Sequence, residues 1–186
     1  MEESSQSQKS RPLGSMAGLG QFLRFGMVGG SGVVVNLVVA ATAKKLSGWA
    51  WGINEHDAVV NLLGSQFHIR WYHVFVTIAF LVANTWNYQL NRSWTFKDPH
   101  NRSWWQGFFP FLITGMGALV VSQIVMTLLM NVESPVALPR DIFDDSTGFR
   151  TVFYWASALS IVVSMPVNFV VNKLWTFRVQ VVPASK

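Results

Sequence analysis

Four stretches of the chain, residues 25–43, 71–91, 103–132 and 151–172, contain no Asp, Glu, Lys or Arg and are built mainly from aliphatic and aromatic residues. A bilayer core of about 30 Å takes roughly 20 such residues in helical form. The pattern therefore predicts an all-α integral membrane protein with four transmembrane helices at about 22–44, 71–91, 106–130 and 151–172. The competing reading, four buried helices of a soluble bundle, needs polar outer faces that these stretches lack. Residues 19–180 form one domain in this reading, and the Ser/Gln-rich residues 1–18 a disordered tail. The tail is polar and no small-residue cleavage site follows a short apolar core, so a cleaved signal peptide is not expected. The polar stretches 45–70 and 131–150 become loops on the opposite side. Trp49, Trp51, Phe67 and Ile69 among polar neighbours predict that 47–70 lies at headgroup depth as a partly helical, amphipathic cap.

Charge then orients the bundle. The chain is 51% hydrophobic and 12% charged, about half the charge of an ordinary soluble domain. With the N-terminus on one side, that side collects nine of the fourteen Lys and Arg residues, among them Arg24, Arg92, Lys97, Lys173 and Arg178. The positive-inside rule places both termini in the cytoplasm and the protein in the cytoplasmic (inner) membrane. The net charge of +5 then belongs to a membrane face. It points to anionic headgroups and membrane lipids as partners, with no nucleic acid expected. With no cysteine, a disulfide, a thiolate metal site and a thiol nucleophile are all excluded.

The second and fourth apolar stretches end alike. Asn87, Asn91, Arg92, Trp94, Thr95, Phe96 and Lys97 recur in order and spacing as Asn168, Asn172, Lys173, Trp175, Thr176, Phe177 and Arg178. Phe25 and Gly29 likewise recur as Phe111 and Gly115, each with a further glycine nearby, Gly32 and Gly117. Helices one and two thus correspond to helices three and four, which predicts two parallel two-helix repeats. Gly26-x-x-x-Gly30 and its neighbours serve either close helix packing or a substrate path. The GGSG stretch, Gly29 to Gly32, lacks a following Lys-Ser/Thr and lies inside an apolar run, which dismisses a nucleotide site.

On a helix, Asn84, Asn87 and Asn91 share one face, as do Asn168 and Asn172. Amides in hydrocarbon must face another helix or a wet cavity, so the stripe is either interhelical hydrogen bonding or a ligand path. Arg92 and Lys173 follow at snorkelling depth, and Trp94, Phe96, Trp175 and Phe177 suit the aromatic belt of an interface anchor. An anchor requires no fixed order. Cations beside Thr95 and Thr176 and the amides also suit a sugar-phosphate headgroup, with the aromatic faces against a sugar ring or lipid chain.

The FLRFGMVGG stretch (Phe22 to Gly30), with Asn36 and the doubled N-x-x-x-N-[RK]-x-W-T-F-[KR], resembles the GtrA-like family of small four-helix membrane proteins. The resemblance covers about 20–46, 72–130 and 150–178. It implies a part in moving polyprenyl-phosphate-linked sugars across the membrane for cell-surface polysaccharide synthesis. Arg24, Asn36, Asn87, Asn91, Arg92, Trp94, Phe96, Asn168, Asn172, Lys173, Trp175 and Phe177 occupy its motif positions. The segments Ser47 to Arg70 and Asn131 to Arg150 are longer than the family's usual hairpins.

The remaining titratable residues form no recognisable centre. His56, His68, His73 and His100 lack paired metal spacing, and Asp141, Asp144 and Asp145 read as a solvated face, so neither a metal nor a cofactor is expected. No acid lies inside the four apolar stretches, which argues against a proton-coupled drug exporter, and no paired carboxylates suggest an enzyme. The leading expectation is a translocase for lipid-linked sugars: Arg24, Arg92, Lys97, Lys173 and Arg178 receive the phosphate, and Asn36, Asn84, Asn87, Asn91, Thr95, Asn168, Asn172 and Thr176 line the path. A membrane scaffold for a glycosyltransferase is the alternative, and a small cation or drug exporter the third. Four helices enclose little volume, so a homo-oligomer or an enzyme partner is expected. Polar groups facing inward at several depths would favour the path; polar groups at one end only would favour the scaffold.

Overall fold

The computed structural model describes residues 16–64, 68–95 and 103–178, and side chains at 24, 26–64, 68–94 and 103–166. Four long helices carry the fold: α1 (Met16–Trp51), α2 (Trp71–Leu90), α3 (Trp104–Met130) and α4 (Val152–Arg178). α2 continues into a π-helical turn at Asn91–Thr95, and a 3-10 turn at Gly148–Arg150 precedes α4. α1 packs chiefly on α2, and α3 on α4, with α2 against α3 joining the two pairs.

Three expected helix ends move, both ends of α1 and the C-terminal end of α4, which runs to Arg178. α1 begins at Met16 and runs to Trp51, because no Pro or Asp interrupts 16–51 and Lys44 and Lys45 continue the helix at its far end. The segment expected to be a partly helical cap is helical through Trp51, at the end of α1; beyond it, strands β1 (Ala58–Asn61) and β2 (His68–Arg70) pair antiparallel, with Asn61 opposite His68. Val59, Val60 and Ile69 favour extended backbone. An Asx turn starts the segment, with Asn54 N–H donating to Asp57 Oδ2 at 2.7 Å and His56 N–H to Asn54 Oδ1 at 2.9 Å.

Each helix turns large apolar side chains outward: Val34 and Val38 on α1, Ile78 and Val82 on α2, Val120 and Ile124 on α3, Val162 and Val163 on α4. Contiguous apolar faces of this extent belong against lipid. Among the described residues, Gly26–Trp51 and Trp104–Met130 are long and apolar enough to cross a membrane, and Val152–Pro166 is a shorter apolar helix. α2, 20 residues long, falls short on apolarity because it carries His73, Asn84, Asn87 and Gln89.

The apolar core occupies one end of the bundle. Ala40, Tyr72, Phe75, Val76, Ala79, Met126, Met130, Val152, Phe153 and Ala156 pack there, where α1 and α3 end and α2 and α4 begin. The half-buried Lys44 and the buried Glu55 form an ion pair at 2.5 Å in the same region, with Lys44 Nζ 5.5 and 5.3 Å from the Phe153 and Tyr154 ring centres. Asp145, expected to lie on a solvated face, accepts the Val152 N–H at 3.0 Å and so caps α4. Toward the other end, Val28, Ala83, Tyr88 and Phe108 are buried alongside the polar Asn84 and Asn91.

Candidate functional site

α2 holds the site. His73, Thr77, Asn84, Asn87 and Asn91 follow its heptad spacing, so one polar stripe runs along about 27 Å of helix and turn, close to a hydrocarbon thickness. The stripe lies where α1 and α3 approach. Asn87 packs its amide against Gly32 of α1, and the Asn84 carboxamide oxygen would be 3.0 Å from a Cβ at Gly115 of α3. Gly107 of α3 gives room to the Tyr88 hydroxyl in the same way. A methyl group at Gly32 or Gly107 would occupy the space of the polar side chain, and one at Gly115 would press on Asn84 and Phe80.

Those amides are incompletely partnered. Asn84 and Asn91 are buried, and Asn84 Nδ2, Asn87 Oδ1, Asn91 Oδ1 and Gln123 Oε1 are inaccessible yet find no hydrogen-bond partner. A buried amide atom without a partner costs about 1–3 kcal/mol; three of these four belong to the α2 stripe and the fourth to α3, which packs against it. The α3–α4 contact is different. Ser122 donates to Ser160 Oγ at 3.0 Å, and Ser160, Ser157 and Ser164 each donate to a carbonyl of their own helix, so this hydroxyl ladder is satisfied and acts as packing.

At the Arg24 end the stripe meets cations and aromatic rings. The Arg24 guanidinium lies 5.9 Å from the Trp94 ring centre, joining α1 to the π-helical turn. Arg92 Nη1 donates to the Tyr88 hydroxyl at 3.1 Å, which donates onward to the Trp104 carbonyl at 2.8 Å. Trp104 Nε1–H donates to Gln89 Oε1 at 2.9 Å and its ring stacks on Phe108. The π turn inserts one residue into the helical register at the start of the motif, a device that recurs at binding sites.

At the other end, Lys44 pairs with Glu55, Arg140 approaches Asp145 at 3.5 Å, and Arg150 meets Asp144 at 3.0 Å. Arg70 Nη1 donates to the His56 carbonyl. Lys44, Arg70, Arg140 and Arg150 are thus tied to acids or carbonyls of the loops. Burial pushes the His56 imidazole below its ordinary pKa, against the opposing pull of Glu55.

Of the residues expected from sequence, Arg24 and Trp94 meet, Arg92 meets Tyr88, and Asn84, Asn87 and Asn91 share the stripe. Asn36 is half-buried on α1, one turn beyond Gly32. Phe96 and Lys97 lie outside the described residues. Asn168, Asn172, Lys173, Trp175, Thr176, Phe177 and Arg178 fall on the final turns of α4, and their side chains, like that of Thr95, lie outside the described ones. Sequence reading missed Tyr88, Thr77, Thr127 and the pairing of His73 with Gln123; the heptad spacing from 73 to 91 was the available signal.

A family model described as GtrA/DPMS, transmembrane domain, matches residues 24–140, more than half of the chain. The match runs from Arg24 through α2, the first motif copy and α3; the second copy lies beyond it. No curated protein and no solved structure matches.

Proposed function

The chain belongs to the GtrA/DPMS transmembrane-domain family, and on that premise we propose that this membrane protein translocates polyprenyl-phosphate-linked sugars across the cytoplasmic membrane for surface glycan synthesis. In this reading α1 to α4 all span, as two parallel two-helix repeats with both termini in the cytoplasm. Arg24 and Arg92, with Lys97, Lys173 and Arg178, receive the phosphate at the cytoplasmic face. The sugar moves along the α2 stripe while the polyprenyl tail stays in lipid. The protein binds and reorients its substrate without making or breaking bonds in it.

One observation carries the proposal: unpartnered polar atoms stand at successive depths, from Asn91 near one end through Asn87 and Asn84 to Gln123 near the other. A scaffold for a glycosyltransferase has no use for them below the interface.

The test is scrambling of a fluorescent polyprenyl-phosphate glucose in proteoliposomes, comparing the protein with Asn84→Leu/Asn91→Leu. Translocation by the unaltered protein and a loss of about tenfold or more in the variant are expected. A folded, unaltered protein that moves no lipid-linked sugar, while capturing a glycosyltransferase, would instead support the scaffold reading.

A further inference from the structure

Near the end of the bundle away from Arg24, α2 and α3 share a polar cluster. Gln123 Nε2 donates to the His73 carbonyl at 3.0 Å and to Thr77 Oγ1 at 2.9 Å. The Thr77 hydroxyl donates to the same carbonyl at 2.8 Å, and the Thr127 hydroxyl to the Gln123 carbonyl at 2.8 Å. His73 Nε2 lies 3.0 Å from Thr127 Oγ1, and the Arg70 N–H donates to His73 Nδ1 at 3.0 Å. With Nδ1 accepting, the ring proton sits on Nε2 and is given to Thr127.

Every donor in the cluster is thereby spent. One acceptor, Gln123 Oε1, is inaccessible and unpartnered. Exchanging the amide oxygen and nitrogen does not repair this, since the oxygen would then face the His73 carbonyl at 3.0 Å. We propose that the His73–Thr77–Gln123–Thr127 cluster is a ligand subsite in which Gln123 Oε1 accepts a hydrogen bond from a neutral hydroxyl group.

The chemistry restricts that group to a neutral donor, of which the hydroxyl is the kind a sugar carries in greatest number. A phosphodiester or carboxylate has no proton to give and is repelled by a bare carbonyl oxygen. An ammonium would need a counter-charge; residues 71–91 and 103–132 contain no acid, and the nearby Glu55 is already paired with Lys44. An alcohol O–H fits without a charge. Thr77 and Asn91 are about 21 Å apart along the helix, beyond the reach of one sugar-phosphate spanning from Arg92. The subsite therefore receives its hydroxyl at a different stage of the ligand's path from the one held by the cations. That this hydroxyl belongs to a sugar rests on the function proposed above.

The experiment uses the full chain in detergent with polyprenyl-phosphate glucose, the corresponding monodeoxy-glucose lipids, and sugar-free polyprenyl phosphate. One deoxy lipid should bind the unaltered protein up to about tenfold more weakly than the glucose lipid. In Gln123→Met the two should bind alike, while the sugar-free lipid binds both proteins equally and reports correct folding. Where Gln123→Met does not fold, Gln123→Glu, assayed at a pH where its carboxyl is protonated and the O–H takes the amide donor's place toward the His73 carbonyl, keeps an acceptor and should keep the preference for the hydroxyl. Equal losses from deoxygenation in the unaltered protein and in Gln123→Met, or glucose lipid binding no better than sugar-free lipid, would overturn the subsite. Failure of every polyprenyl phosphate to bind would overturn the proposed function as well.

Discussion

The Asn87 carboxamide occupies the place where a side chain at Gly32 would begin. Two helices meet at this point through an amide on one and the absence of a Cβ on the other. The contact accounts for glycine at position 32, where it makes room for the polar stripe. Gly26, Gly29 and Gly30 have nothing within 4 Å of an added Cβ, and so do not share this constraint.

Gly32→Ala should therefore destabilise the protein by about 1–3 kcal/mol, through overpacking against Asn87. Gly30→Ala should be neutral or stabilising by up to about 1 kcal/mol, since alanine removes backbone freedom from the unfolded chain and meets no atom. Thermal unfolding in detergent, followed by tryptophan fluorescence, separates the two. Equal behaviour of the pair would show that the α1–α2 approach is looser than described.

Asn84→Leu/Asn91→Leu should raise stability while lowering transport. Replacing buried amides that lack partners with similar-sized apolar groups removes a desolvation cost of about 1–3 kcal/mol each. A stripe that served only to hold helices together would give the opposite sign, and unfolding midpoints measured beside the scrambling assay reveal which holds. A site kept at the expense of stability is the expected pattern for binding residues.

Arg92→Gln should weaken binding of a polyprenyl-phosphate sugar by about tenfold to a hundredfold, the worth of a charge-assisted contact. A snorkelling anchor would leave ligand affinity nearly intact, because any anionic lipid is its partner. Lys173→Gln tests the second motif copy in the same assay.

The Lys44–Glu55 pair ties the end of α1 to the segment before the hairpin and to the rings of α4. Glu55→Gln should cost about 3 kcal/mol, since Lys44 keeps its charge in a largely buried site. Lys44→Met/Glu55→Met should cost less than Glu55→Gln alone. Denaturation of the three proteins in one detergent checks the ordering.

His56 sets a pH dependence in the same loop. Its folded pKa lies below the ordinary 6.5, so the unfolded chain binds its proton first. The resulting stability is complete above pH 6.5 and is lost as pH falls from there toward the folded pKa. His56→Gln should flatten that part of the stability profile, and an imidazole titration followed by NMR should give a value under 6.5.

The chain has no cysteine, so single introduced cysteines report topology against a clean background. A cysteine at the exposed position 144 should react with an impermeant maleimide from outside intact cells, and one at position 100 should not. Labelling at 100 would reverse the orientation.

The sequence alone determined the helical character and the positions of the apolar stretches, because a charge-free run near the bilayer thickness has few other physical solutions. It also identified the asparagine stripe, since helical periodicity is a local property of the chain. It did not foresee the hairpin that follows Trp51 within 47–70, where aromatic and β-branched residues are compatible with an interfacial helix or a hairpin, and pairing between Asn61 and His68 decides between them. What the tertiary structure decided was which polar atoms are satisfied. Ser160 and Asn84 look alike in sequence, each a polar residue in an apolar helix; Ser160 finds Ser122 on a neighbouring helix, whereas Asn84 Nδ2 finds nothing. Hydrogen-bond satisfaction depends on side chains brought together from distant parts of the chain, and no periodicity within one helix encodes it.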